Sequence, residues 1–146
     1  MTGSHAQTDL RAEIAGWFAG EGRLKCIIGN TIVLKGGKPW LSLGTPGNVN
    51  VTIPQVLSNI LDYGMDPYEA AVQPRMLALR DDYTLEIESR LSPETVVGLA
   101  KMGITVSALP EYDYHMGSFQ MSWRDEKTGL LNSCTDPRRG GQAGGL

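Results

Sequence analysis

The sequence predicts an α+β fold in which mixed strands, several of them in hairpins, alternate with three to four helices. Three observations predict it. Two β-branched and apolar runs, TIVLK and KPWLSLG, flank the pair Gly36-Gly37, a hairpin signature because glycine accepts the positive φ of a tight turn. Two segments, DPYEAAV and SPETVVGLA, set an N-capping residue before proline and place a glutamate in the first turn. The stretch SFQMSWR alternates Phe119, Met121 and Trp123 with Ser118, Gln120, Ser122 and Arg124, the period of a strand with one buried face.

Taken in order, Thr8 or Asp9 caps a short helix through Ala12, Ile14, Trp17 and Phe18, which Gly20 and Gly22 break. The hairpin follows, then the loop GTPGNVN, stiffened by Pro46 and given unusual backbone angles by Gly44 and Gly47. A helix is expected from Thr52 to Tyr63, with Pro54 in its first turn, Val56, Leu57, Ile60 and Leu61 on one face, and Gly64 just beyond its end. Asp66 caps a second helix that reaches Val72 before Pro74 stops it. MLALR and YTLEIES read as strands joined by a turn at Asp81-Asp82. Ser92 and Pro93 start a helix ending at Gly103, with Val96, Val97, Leu99 and Ala100 pointing inward. ITVSAL is a short strand, PEYDYH a polar loop, and LLNSCT a last strand before the glycine-rich tail.

A length of 146 residues suits one domain with a single core, or one half of a larger layered fold. The net charge of −3 supplies no basic field, so nucleic acid is not an expected partner. No apolar run reaches the ~20 residues of a membrane span, and the start MTGSHAQTDL lacks the features of a signal peptide. The composition is that of a soluble globular chain, and the compartment stays unassigned. Cys26 and Cys134 are too few for a disulfide scaffold; one bridge and two free thiols both fit.

Among chemistry-bearing groups, His5 and His115 sit beside no obvious nucleophile, and no metal or cofactor is expected. Glu111, Asp113 and His115 form a loop cluster that reads as a solvated acidic turn rather than a cation site. Asp136, Arg138 and Arg139 suit either an anion grip or internal ion pairing. The loop Gly44 to Asn50, entering a helix, can aim successive backbone N–H groups at one point, the arrangement that stabilises an oxyanion.

Three segments, TIVLKGGKPWLSLGTPGN, PQVLSNILDYGMDPYEAAVQPR and DPRRGGQAGG, occur in the order and spacing in which similar segments occur in the small catalytic subunit of the γ-glutamyltranspeptidases. The resemblance covers residues 23–146, with residues 1–22 a weakly matched tail and short helix. It implies a partial αββα N-terminal-nucleophile hydrolase sandwich, about half of one, whose apolar strand faces expect a partner layer. It also implies an enzyme class in which an N-terminal threonine attacks a γ-glutamyl amide, with its own α-amine as base, and passes the acyl group to water or an amino acid.

Carried over residue by residue, the family's paired oxyanion glycines match Gly47 and Asn48. Asn48 is expected to tolerate a glycine's backbone angles, so that Asn48→Gly keeps or raises activity. The paired serines that hold the substrate carboxylate match Cys26 and Ile27, which removes two hydroxyl donors and alters the acyl-donor specificity, with Arg23 a weak anion contact. The family threonine lies well upstream of the hairpin, and Thr2 is too near Cys26 to take its place. The chain is therefore expected to be the C-terminal segment of a γ-glutamyltranspeptidase-like enzyme, inactive by itself, partnered by an upstream or large-subunit chain and by γ-glutamyl small molecules. The alternative is a non-catalytic truncated remnant or interaction module of the same fold. A thiol hydrolase using Cys26 is disfavoured because no base stands beside it.

Overall fold

The computed structural model describes residues 28–78 and 84–144. The expected helix at Ala12 to Phe18, the turn at Asp81-Asp82, and Thr2, Arg23, Cys26 and Ile27 lie outside them. Strands β1 (Ile28–Lys35) and β2 (Lys38–Pro46) form the expected hairpin, with Gly36 and Gly37 at φ of 57° and 78°, the two positive angles of a type I′ turn. Helix α1 (Val49–Leu61) and helix α2 (Pro67–Val72) follow, then β3 (Met76–Leu77), β4 (Leu85–Glu88), helix α3 (Pro93–Lys101), β5 (Val106–Leu109), a 3-10 turn at Tyr114–Met116, β6 (Gln120–Arg124) and β7 (Leu131–Thr135).

Two sheets result. One has the order β1-β2-β6-β7, antiparallel throughout; the other has the order β3-β4-β5, in which β4 and β5 run parallel, joined through α3 as parallel strands require. In the first sheet the row Thr31, Leu43, Met121 and Cys134 faces α1 and α2. It packs with Leu41, Phe119, Val56, Ile60, Ala70 and Ala71 into the core, and Phe119 and Ala71 are fully buried. The period-two reading of SFQMSWR holds for Phe119 and Met121 inward and Gln120, Ser122 and Arg124 outward. Ser118 departs from it: it precedes the strand and is buried, its N–H donating to Thr45 Oγ1 at 2.9 Å. Gln55 joins α1 to the second sheet as a strand neighbour does, its amide donating to Met76 O at 2.7 Å and its oxygen accepting from Met76 N at 3.0 Å.

Among the described residues, no helix or strand covers the opposite face of the first sheet. Paired rows there read Ile32, Ser42, Ser122 and Ser133, then Asn30, Gly44, Gln120 and Thr135, and they floor a groove of about 500 Å³ walled at one end by Gln142 to Gly144. The expected apolar strand face is thus mostly small and polar, with exposed Ile32, Leu34 and Leu131 as its aliphatic part.

Two local expectations need correction. Helix α1 begins at Val49 rather than Thr52, so Pro54 lies inside it instead of in its first turn. The reason is the sharp chain reversal at Gly47, whose φ of 90° lets Asn48 act as the N-cap. In α3 no residue is fully buried: Val96 and Leu99 are half-buried, Ala100 is exposed and Val97 is 52% exposed, because the helix covers only a three-stranded sheet from the outside. Its ends are as expected, with Ser92 Oγ accepting from Thr95 N at 3.2 Å and Gly103 in the left-handed region.

Candidate functional site

The turn between β2 and α1 is built by three residues. Gly47 takes the left-handed backbone. Asn48, at φ −78° and ψ 58°, is the centre of an inverse γ-turn closed by Val49 N–H donating to Gly47 O at 2.8 Å. Thr52 Oγ1 donates to Asn48 O at 2.9 Å, and the amides of Val51 and Thr52 donate to the same oxygen. No acceptor for the amides of Gly47 or Asn48 occurs among the described residues. Two N–H groups without an acceptor among the described residues thus stand at the start of a 13-residue helix, where the helix dipole favours negative charge.

The expectation that Asn48 must adopt a glycine's angles is overturned, since its φ is one any residue accepts. Gly47 alone carries the left-handed conformation. Asn48→Gly gains no relief of strain and is not expected to raise activity.

Behind this turn runs a strap, residues 112–118. Gly117, at φ 78° and ψ 176°, occupies a region reserved for glycine, and a Cβ there would lie 2.7 Å from Thr45 Oγ1. Tyr112 holds a left-handed φ of 53° with the Arg90 guanidinium 3.7 Å from its ring. Asp113 Oδ1 accepts from both His115 N and His115 Nδ1, at 2.8 and 2.9 Å, so the Glu111, Asp113 and His115 cluster is a capped turn. His115 O accepts from Asn48 Nδ2 at 3.0 Å, which ties strap to turn.

The strap is in turn anchored to a buried ionic lattice. Arg138 grips Glu88 through two hydrogen bonds of 2.6 Å, from Nε and Nη2, and Asp136 through one of 3.1 Å. Arg75 donates to Asp136 at 2.5 Å and to the carbonyls of Ala71, Met116 and Gly117. Backbone amides complete the carboxylates: Phe119 and Arg138 donate to Asp136, Arg75 and Asp113 to Glu88. Of the two expectations for Asp136 and Arg138, internal pairing is the one realised. Arg139 stays exposed, donating to Tyr114 O at 3.2 Å.

The two buried arginines shift in opposite directions. Burial pushes Arg75 down to about 10 despite the charge of Asp136, and the nearby Arg138 adds to the fall. Burial also disfavours the Arg138 cation, yet its bonds to Glu88 and the charge of Asp136 outweigh it, and its pKa is raised. Arg75 is the more deeply buried of the two, and it lacks the bidentate carboxylate that Arg138 has. Glu88 and Arg75 were not singled out as charged core residues from sequence. Glu88 sits in an alternating strand and Arg75 after a proline, positions with no local sign of a partner 50 or more residues away.

Cys134 is a buried free thiol on the inner face of β7. Burial, with smaller contributions from Asp66 and Asp136, pushes it up to about 11 from 9.0. Because the folded value is the higher, its contribution is complete below pH 9 and is lost as pH rises toward 11, on the order of 2 kcal/mol. Urea midpoints measured across that range should fall more steeply in a Cys26→Ser background than when Cys134→Ala is added, because Arg75, whose pKa of about 10 gives an opposing rise in the same window, acts alike in both. An unchanged slope in the double variant would assign the alkaline loss to another group.

The model of the γ-glutamyltranspeptidase family matches residues 9–146. The glutathione hydrolase-like YwrD proenzyme of Bacillus subtilis is 35% identical over 121 residues, 79% of this chain and 23% of that protein. The glutathione hydrolase proenzyme of Escherichia coli is 38% identical over 110 residues, 74% of this chain and 18% of that protein. A solved Helicobacter pylori γ-glutamyltranspeptidase mutant superimposes with a TM-score of 0.70 at 31% identity, covering 81% of this chain and 64% of that one. The fold is accordingly that of an N-terminal-nucleophile hydrolase, present here as part of its sandwich. This chain belongs to the γ-glutamyltranspeptidase family, and it spans about a fifth of the length of the curated relatives it matches.

Proposed function

We propose that residues 23–146 form the C-terminal part of the small subunit of an enzyme of γ-glutamyl transfer or hydrolysis, and that their contribution to the chemistry is the Gly47–Asn48 turn. The single observation that carries this reading is the turn itself: two amides without an acceptor among the described residues, at a helix start, on a backbone tied from behind. In the acyl-transfer step a threonine Oγ attacks the γ-glutamyl carbonyl carbon and its proton passes to the threonine's α-amine. The carbonyl oxygen becomes an oxyanion facing the Gly47 and Asn48 amides. Collapse expels the amine, which takes the proton, and leaves the acyl-enzyme for water or an amino acid to resolve.

The threonine and the basic group for the substrate carboxylate come, on this reading, from an upstream or large-subunit chain. The open face of the first sheet supports it, since four strands with one helix-covered face and one bare face suit a second layer. Substrates are small γ-glutamyl compounds, with donor specificity changed by Cys26 and Ile27 in place of hydroxyl donors and with Arg23 nearby in sequence. By itself the chain is inactive.

A chromogenic γ-glutamyl anilide tests this. The isolated chain should not turn it over, and addition of a separately made upstream fragment bearing the N-terminal threonine should restore release of the chromophore. Binding of that fragment without turnover would contradict the reading in favour of a non-catalytic module. Turnover by the isolated chain that Cys26→Ala abolishes would replace it with a thiol enzyme.

A further inference from the structure

We infer that Asn48 is a positioning residue, whose side chain clamps the Gly47–Asn48 turn to the strap and so fixes where the two free amides point. The inference deepens the reading of this turn as the oxyanion holder, and its catalytic consequence rests on that reading.

Asparagine is a favoured N-cap because its side-chain oxygen satisfies the helix's first amides. Asn48 occupies the N-cap of α1 yet makes no side-chain cap bond. Its amide nitrogen instead crosses to His115 O, 67 positions along the chain. The helix start is served by other groups: Val49 N–H by Gly47 O, and Val51 and Thr52 N–H by Asn48 O. The side chain is thus diverted from the local bond to a tertiary one.

The acceptor is a fixed point. Arg75 holds the next two carbonyls, Met116 O at 2.9 Å and Gly117 O at 3.3 Å. Asp113, two residues before His115, is held by its own amide on Glu88 and by its oxygen on the His115 amide and ring. Ser118 N–H bonds to Thr45 Oγ1, at the end of the strand that enters the turn. The strap, anchored by the buried arginines and carboxylates, therefore reaches the turn by two bonds, Ser118 N–H to Thr45 Oγ1 on the entering strand and Asn48 Nδ2 to His115 O, and only the second grips a residue of the turn itself. A glycine in place of Asn48 would leave Thr52 Oγ1 on the residue-48 carbonyl and the Ser118–Thr45 bond on the entering strand, but no side-chain bond from the turn residues to the strap, which loosens a turn built on a left-handed glycine.

The test is 15N relaxation of the full chain, reading the order parameters of Gly47 and Asn48. The clamp predicts rigid values of about 0.85 in the unaltered chain and values below about 0.6 in Asn48→Ala. Asn48→Asp, which keeps the size but offers no N–H, should behave as Asn48→Ala does. His115→Ala, which keeps the accepting carbonyl, should leave the turn rigid. Equal rigidity in Asn48→Ala and the unaltered chain, or a turn already mobile without substitution, overturns the clamp. In the enzyme completed with an upstream fragment, Asn48→Ala should lower kcat by about five- to tenfold, the value of one hydrogen bond, with KM unchanged. A mobile turn with kcat intact would uphold the clamp and reject the oxyanion reading instead.

Discussion

Arg138→Ala is expected to destabilise the folded chain by about 3–5 kcal/mol, the usual cost of removing one partner from a buried ion pair. The substitution deletes both short bonds to Glu88 and the bond to Asp136, and it takes donors away from Ala71 O and Gln73 O. Glu88 and Asp136 are fully buried, so neither carboxylate can recover hydration in place. Arg75 and Arg90 compensate in part, since Arg75 already bonds Asp136 and Arg90 reaches Glu88 at 3.0 Å. The lattice also joins the end of α2, strand β4 of the small sheet and the segment after β7 of the large one, so its loss loosens the two sheets from each other. Urea unfolding followed by tryptophan fluorescence measures the effect. Arg138→Lys should recover only part of it, because an ammonium cannot reproduce the guanidinium fork. A loss below about 1 kcal/mol in Arg138→Ala would mean that Arg75 and Arg90 suffice, a surface-like value.

How much of this was legible before the structure depends on the range of each interaction. The hairpin at Gly36-Gly37, the capped starts at Asp66 and Ser92 and the alternation of Phe119 and Met121 are local features, and each appears where the sequence places it. The start of α1 does not, because Pro54 is a stronger textual marker of a first turn than Gly47 is of a chain reversal. The inward face assigned to α3 fails for Val97 and Ala100, since apolar spacing cannot report that only a small sheet lies beneath. At the site, Gly47 and Asn48 are found through their resemblance to paired glycines, while the means of support is not. Nothing adjacent to Asn48 indicates His115, nothing near Glu88 indicates Arg138, and Gly117 reads as an ordinary loop glycine until its Cβ-free approach to Thr45 is seen. These are tertiary pairings, invisible to periodicity and capping rules. The same holds for the open sheet face, which was expected to be apolar and is largely serine, glutamine and asparagine.

The second large effect concerns the amide of Asn48. Its φ of −78° lies within the range of proline, so Asn48→Pro can keep the turn while deleting the N–H. Because that amide has no acceptor among the described residues, its removal costs little in folding. It does cost an oxyanion donor, which is worth about 100- to 1,000-fold in kcat. Asn48→Ala is the matched reference, since both variants lose the bond to His115 O and only one loses the N–H. The ratio of their kcat values on a γ-glutamyl anilide, in the enzyme completed with an upstream fragment, isolates the donor. A kcat for Asn48→Pro about 100-fold or more below that of Asn48→Ala is the predicted result; equal values would remove the Gly47–Asn48 turn from the chemistry.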